Sequence, residues 1–154
     1  MLEIESLSKS FDKGKSFALK DVSFHLTEGD VCALVGESGS GKTTLVRLIA
    51  GLETPDAGII RLNGEVVSSI NNFVPPEKRK VGLVFQDYAL FPHMTLLKNV
   101  LYGISKDKNK NERAQEVLNL VGLGGMKDRY PHQLSGGQQQ RVGLGLWNSS
   151  MPEK

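Results

Sequence analysis

Eight consecutive residues, Gly36-Glu37-Ser38-Gly39-Ser40-Gly41-Lys42-Thr43, restrict the fold of this chain more than any other stretch. They fit the pattern G-x-x-x-x-G-K-[ST] without a mismatch, a pattern whose reading as a phosphate-binding loop is supported by a strand leading in and a helix leading out. The apolar run Val31-Cys32-Ala33-Leu34-Val35 is predicted to be the strand that leads in. Thr44-Leu45-Val46-Arg47-Leu48-Ile49-Ala50 contains no breaker, and Gly51 is a suitable stop, so a helix is predicted to lead out. Gly36, Gly39 and Gly41 let the backbone wrap closely and turn its N–H groups inward, which makes an anion cradle at a helix start. Lys42 is expected to reach the terminal phosphates and the Thr43 hydroxyl to bind Mg²⁺. The cradle is assigned to Gly36, Glu37, Ser38, Gly39, Ser40, Gly41, Lys42, Thr43 and Thr44.

Leu134-Ser135-Gly136-Gly137-Gln138-Gln139-Gln140-Arg141 forms a second candidate site. Ser135 is a good N-cap, Gly136 and Gly137 leave backbone donors bare, and the glutamines continue as helix. Alone this is an ordinary capped helix start. Downstream of a phosphate-binding loop it becomes specific.

Elsewhere the pattern is mixed. Residues 1 to about 30 alternate as antiparallel strands, with Leu2, Ile4 and Ser6 set against Glu3, Glu5 and Leu7, followed by Val22, Phe24 and Leu26. Asn63-Gly64 marks a tight hairpin between Gly58 and Val67. Pro75-Pro76 requires a loop. Ala114, Val117, Leu118 and Val121 recur at helical spacing, with Gly122 as the stop. Cys32, the single cysteine, falls in the apolar run and is expected to be a buried thiol, which leaves no disulfide within the chain. His25, His93 and His132 are read as structural or exposed. A net charge of +2 gives no reason to expect nucleic acid, and the charged run Lys106 to Asn111 reads as solvated. No apolar run approaches the length of a membrane span, so a cytoplasmic location is expected, with membrane contact only through a partner.

Taken together, these segments resemble the N-terminal part of an ABC transporter ATP-binding subunit over almost the whole chain. The resemblance is carried by Leu7 to Phe11, Leu19 to Phe24, the loop at Gly36, Leu48 to Gly58, Val81 to His93 and the signature segment Leu134 to Arg141. It implies an α/β fold: a P-loop NTPase core of the ABC ATPase kind, with an antiparallel β subdomain and a helical subdomain. The implied cofactors are ATP and Mg²⁺. Phe11 would stack on adenine, and Gln86 of the Q-loop would touch Mg²⁺ and the attacking water. Leu134, Ser135, Gly136, Gly137 and Gln138 would cover an ATP held by a second subunit in a head-to-tail dimer. A membrane permease is the other implied partner, placing the protein at the inner face of the cell membrane. The stretch from Phe85 to Gly103 most resembles importers of inorganic ions, polyamines or sugars.

The resemblance stops after Val142, where the family continues to an apolar strand ending in Asp-Glu (Walker B) and a switch histidine. Gly143 to Lys154 contains neither. The expected division is therefore 1–87 for the P-loop core and β subdomain, 88–134 for the helical subdomain, 135–142 for the signature helix and 143–154 for an atypical tail. The C-terminal half of the core is expected to be missing, by frameshift or truncation in preference to an evolved short protein. No catalytic residue is assigned within the chain, and little or no ATP hydrolysis by it alone is expected, because phosphoryl transfer needs a carboxylate to hold the metal and orient water. The Val31–Val35 and Val81–Phe85 runs are expected to lack neighbours in the sheet, leaving unpaired edges and an unstable core. The alternative is a non-catalytic nucleotide-binding or regulatory fragment that pairs with an intact ATPase subunit. A DNA-repair or chromosome-structure ATPase is disfavoured, since no sustained heptads separate the two motifs.

Overall fold

The computed structural model describes residues 1–12, 14–85, 90–104 and 109–150, with 147–150 as helix backbone only. The chain divides into two compact units, Met1–Val81 and Gly82–Lys154.

The first unit is a four-stranded antiparallel sheet with one helix. The strands are β1 (Leu2–Ser10), β2 (Phe17–Leu26), β3 (Ala57–Leu62) and β4 (Glu65–Ser68), in the order β2-β1-β3-β4. The Asn63-Gly64 hairpin forms as expected: Leu62 pairs with Glu65, and both turn residues have positive φ, 51° and 83°. Two such residues are what a primed two-residue turn requires. The alternation expected along β1 does not hold throughout. The register with β2 shifts between Ile4 and Leu7, where Ser6 adopts φ 46° and donates its N–H to Ser23 Oγ at 2.8 Å. A bulge adds one residue to one side of the ladder, so Ile4 and Leu7 both face the core despite their odd spacing.

Helix α1 (Lys42–Ala50) follows the glycine loop, and Gly51 ends it in the left-handed conformation at φ 79°. Leu45 and Leu48 on its inner face join Ile4, Leu7, Leu19, Ile60 and Val67 in a single core cluster. Truncating a fully buried member such as Leu48 or Ile60 to alanine is worth about 2–5 kcal/mol.

Neither apolar run expected as a core strand is one. Val31–Val35 and Val81–Phe85 carry no strand assignment. Val31 is 98% exposed and Val35 92%. A strand exists through its ladder, and among the described residues neither run has a hydrogen-bonded neighbour. Cys32 is accordingly exposed, not buried.

The second unit is helical: α2 (Leu96–Gly103), α3 (Lys110–Leu120) and α4 (Gly136–Ser150). Thr95 caps α2 by accepting from Lys98 N–H. Buried Asn99 ties the preceding loop to the same helix, its Oδ1 accepting from Phe91 N–H at 2.8 Å and its Nδ2 donating to the Met94 and Thr95 carbonyls. The expected stripe on α3 is the packed face, with Ala114, Val117 and Leu118 buried beside Leu96, Val100, Leu123, Leu134 and Val142. Gly122, at φ 72°, follows the end of that helix.

Residues 143–150 do not interrupt the signature helix, contrary to the expected tail. The helix runs on to Ser150. A Cβ on Gly145 would lie 3.0 Å from Val117 and 3.1 Å from Val121, so the glycine sits where α3 and α4 approach. Helix-poor composition is offset here by that close packing.

Candidate functional site

The glycine loop turns into α1 through Gly41, the N-cap, at φ 87° and ψ 0°. Only glycine fits there: a Cβ would lie 2.2 Å from the Ala18 carbonyl oxygen of β2. The close approach brings the start of β2 against the helix start. At the first turn of α1 the backbone N–H groups have no intrahelical acceptor and carry the positive end of the helix dipole. Lys42 folds back into the loop, donating to the Gly36 carbonyl at 2.7 Å, the Glu37 carbonyl at 2.6 Å and Ser40 Oγ at 3.0 Å. Glu37, Ser38 and Ser40 are exposed along the rim, as is Thr43, while Thr44 is half-buried. Bare N–H donors, one ammonium inside the loop and an accessible hydroxyl make a donor set suited to a polyphosphate.

Phe11 follows the last residue of β1 with its ring 66% exposed. Its strand neighbours place it near the loop, since Ser10 pairs with Phe17 and Ala18 is the residue that meets Gly41. The chain around Phe11 is tightly tied. Ser10 Oγ accepts from Gly14 N–H at 2.8 Å and donates to Asp12 Oδ1 at 2.8 Å. Asp12 in turn accepts from the Ser16 hydroxyl and N–H. Those Ser16 bonds, with the Ser10 hydroxyl, lower the Asp12 carboxyl to about 2. Gln86 lies outside the described residues.

In the second unit the signature segment begins α4 with a reciprocal cap. Gln138 N–H donates to Ser135 Oγ at 3.3 Å, and Ser135 N–H donates to Gln138 Oε1 at 2.9 Å. Leu134 is buried and anchors the segment, while Ser135, Gly136 and Gly137 are exposed. A Cβ on Gly137 would meet nothing within 4 Å, so packing within this chain does not require a glycine there.

His25 lies on β2, and all three histidines are exposed. Among the described residues no group of three or more His, Cys, Asp or Glu could hold a metal ion.

Two charged groups escape a reading of the sequence alone. Lys9, on a strand, is 7% exposed and paired with Glu53 and Asp56. Arg79 is 4% exposed, and its guanidinium donates to the carbonyls of Leu48, Ile49 and Val74. Burial lowers its pKa. Nothing in the local sequence separates Arg79 from the exposed Lys78 and Lys80 beside it.

A glycine loop opening α1 against a sheet, with a separate helical unit ending in a capped Ser-Gly-Gly-Gln helix, defines part of a P-loop NTPase cassette. The chain belongs to the ABC transporter family, whose sequence pattern it matches over residues 19–151. It is 49% identical to the sulfate/thiosulfate import ATP-binding protein CysA of Pseudomonas aeruginosa, over 93% of this chain and 44% of that protein. It is 41% identical to the Fe(3+) ions import ATP-binding protein FbpC of Haemophilus influenzae, over 99% of this chain and 44% of that one. The chain thus spans less than half the length of these relatives. Among solved structures, the dimeric ATP-binding cassette MJ0796 bound to ADP and Pi matches with a TM-score of 0.80 at 31% identity, over 97% of this chain and 70% of that one. Among the described residues no helix is long and apolar enough to cross a membrane.

Proposed function

We propose that this chain carries the ATP-binding face of an ABC importer's ATP-binding subunit, coupling nucleotide binding to transport of a small solute through a membrane permease. The observation that carries this reading is the Lys42 ammonium held inside a glycine loop that opens directly into α1. Lys42 would leave the Gly36 and Glu37 carbonyls for the terminal phosphates of ATP, where its charge meets a stronger acceptor. The N–H groups from Gly39 to Thr44 would hold the remaining phosphate oxygens, and Phe11 the adenine. Thr43 would supply one hydroxyl to Mg²⁺. That fits a metal that keeps most of its waters and takes its other ligands from phosphate, with few from protein.

These residues bind and position the nucleotide. Hydrolysis also needs a carboxylate to hold the metal and orient water, and no residue of the chain is assigned to that role. The exposed, capped start of α4, with a glycine at 137 that this chain's own packing does not demand, suits contact with ATP on a second subunit in a head-to-tail dimer. The relatives named for sulfate/thiosulfate and Fe(3+) import make an inorganic ion the favoured cargo class.

Mg·ATP titration of the Lys42→Ala variant tests this. Removing this ammonium, the one side-chain cation among the described residues seen to reach into the loop, is expected to weaken binding by roughly 2 kcal/mol or more. Unchanged affinity would show that the loop does not hold the phosphates.

A further inference from the structure

Lys9 is a nearly buried cation at the end of a strand, and its surroundings point outward to one exposed ring. Its ammonium lies 3.3 Å from Glu53 Oε1 and 3.4 Å from Asp56 Oδ1, and 5.3 Å from the centroid of Phe11. Asp56 also holds the backbone beside that ring: its Oδ2 accepts from Ser10 N–H at 2.7 Å, while its own N–H donates to the Ser8 carbonyl at 3.0 Å. On the other side of Phe11, Ser10 Oγ and the Asp12 carboxylate close a hydrogen-bonded turn through Gly14 and Ser16. The ring therefore stands between two fastened residues while remaining two-thirds exposed.

We propose that Lys9, held by Glu53 and Asp56, is a positioning residue that orients and polarises the Phe11 ring for stacking on a purine base. This rests on the ATP-binding reading above. A cation near one face of an aromatic ring draws π density toward itself, so the opposite face repels a second π system less. The paired carboxylates hold the ammonium beside the ring and keep it from swinging into water. Stability alone gives little reason for the arrangement, since the lysine is buried while its carboxylate partners are partly exposed, and ion pairs with exposed partners contribute little.

The test compares Mg·ATP with Mg·tripolyphosphate, which offers the same anionic chain without a base, by calorimetry on the full-length protein. Four forms are compared: the unaltered protein, Lys9→Met, Phe11→Ala and the double variant. Lys9→Met is expected to weaken ATP binding about 5-fold and to leave tripolyphosphate binding unchanged. The double variant is expected to bind ATP no more weakly than Phe11→Ala alone, because the lysine acts through the ring. Lys9→Arg, which keeps the cation, is expected to recover most of the loss. Additive losses, or no loss of ATP affinity in Lys9→Met, would overturn the proposal. So would an equal loss for tripolyphosphate, which would place the effect on the loop or the fold. Failure of the unaltered protein to bind either ligand would instead reject the ATP-binding reading itself, and the proposal with it.

Discussion

Arg79 shows how much one side chain can hold in the first unit. Its guanidinium donates to the carbonyls of Leu48 and Ile49 at 2.8 and 3.1 Å at the end of α1, where the Leu48 carbonyl also accepts from the Gly51 N–H at 3.2 Å. It also donates to the Val74 carbonyl at 2.6 Å, and lies 5.0 Å from the centroid of the Phe73 ring. None of these partners is a carboxylate. The positive charge is balanced by carbonyl dipoles and by the negative end of the helix, an arrangement that suits a planar five-donor fork and not a point charge. Arg79→Met, which keeps the volume and removes the donors, is expected to destabilise the protein by about 3 kcal/mol, and Arg79→Lys to recover only part of that. Urea unfolding of the three forms decides it. If the Met variant unfolds at the native midpoint, the guanidinium is not what fastens the end of α1.

Elements differ in how openly the sequence declares them. The Asn63-Gly64 hairpin, the α3 stripe and the stop at Gly51 were legible because turn chemistry and helical spacing act over a few residues. The helix that the loop opens into was legible as well, while the strand expected before it did not form. The alternation in β1 was not, since a bulge at Ser6 depends on the register with β2, which no local pattern states. The continuation of α4 through Gly143 and Gly145 was hidden for the same reason: it follows from the approach of α3. Gly41 and Gly39 separate local from tertiary demand within a single loop. Both have positive φ, 87° and 85°, but a Cβ on Gly41 would strike the Ala18 carbonyl whereas one on Gly39 would meet nothing within 4 Å. Gly39→Ala is therefore expected to cost about 1 kcal/mol, for the left-handed backbone alone. Gly41→Ala adds the clash with β2, and about 3 kcal/mol or more is expected, comparable to strain at a tightly constrained site. Thermal unfolding of the two variants measures the difference, and equal costs would mean that β2 does not press on the helix start.

At the scale of the whole molecule, the two units each have a hydrophobic core, and two apolar runs belong to neither. Val31–Val35 has the composition of a central strand, and its edge valines are almost wholly in solvent. The sequence marks the run as a strand and also as one without neighbours in the sheet. The strand does not form because a ladder is a property of two segments, and among the described residues no second segment pairs with it. Hydrogen exchange distinguishes an apolar run from a strand directly. In a chain of these residues the amides of 31–35 are expected to exchange close to the unprotected rate, while that of Ile4, in the middle of the sheet, is slowed by several orders of magnitude. The same contrast is expected between 82–85 and the interior of α3. Protection at 31–35 equal to that of β1 would mean that these residues are paired after all, and the loss of the expected strand would have to be withdrawn. Rapid exchange there together with slow exchange at Leu45 and Leu48 would show something more specific. The helix that begins at the phosphate loop is held by the antiparallel sheet and Arg79, and does not depend on an assembled strand in front of it.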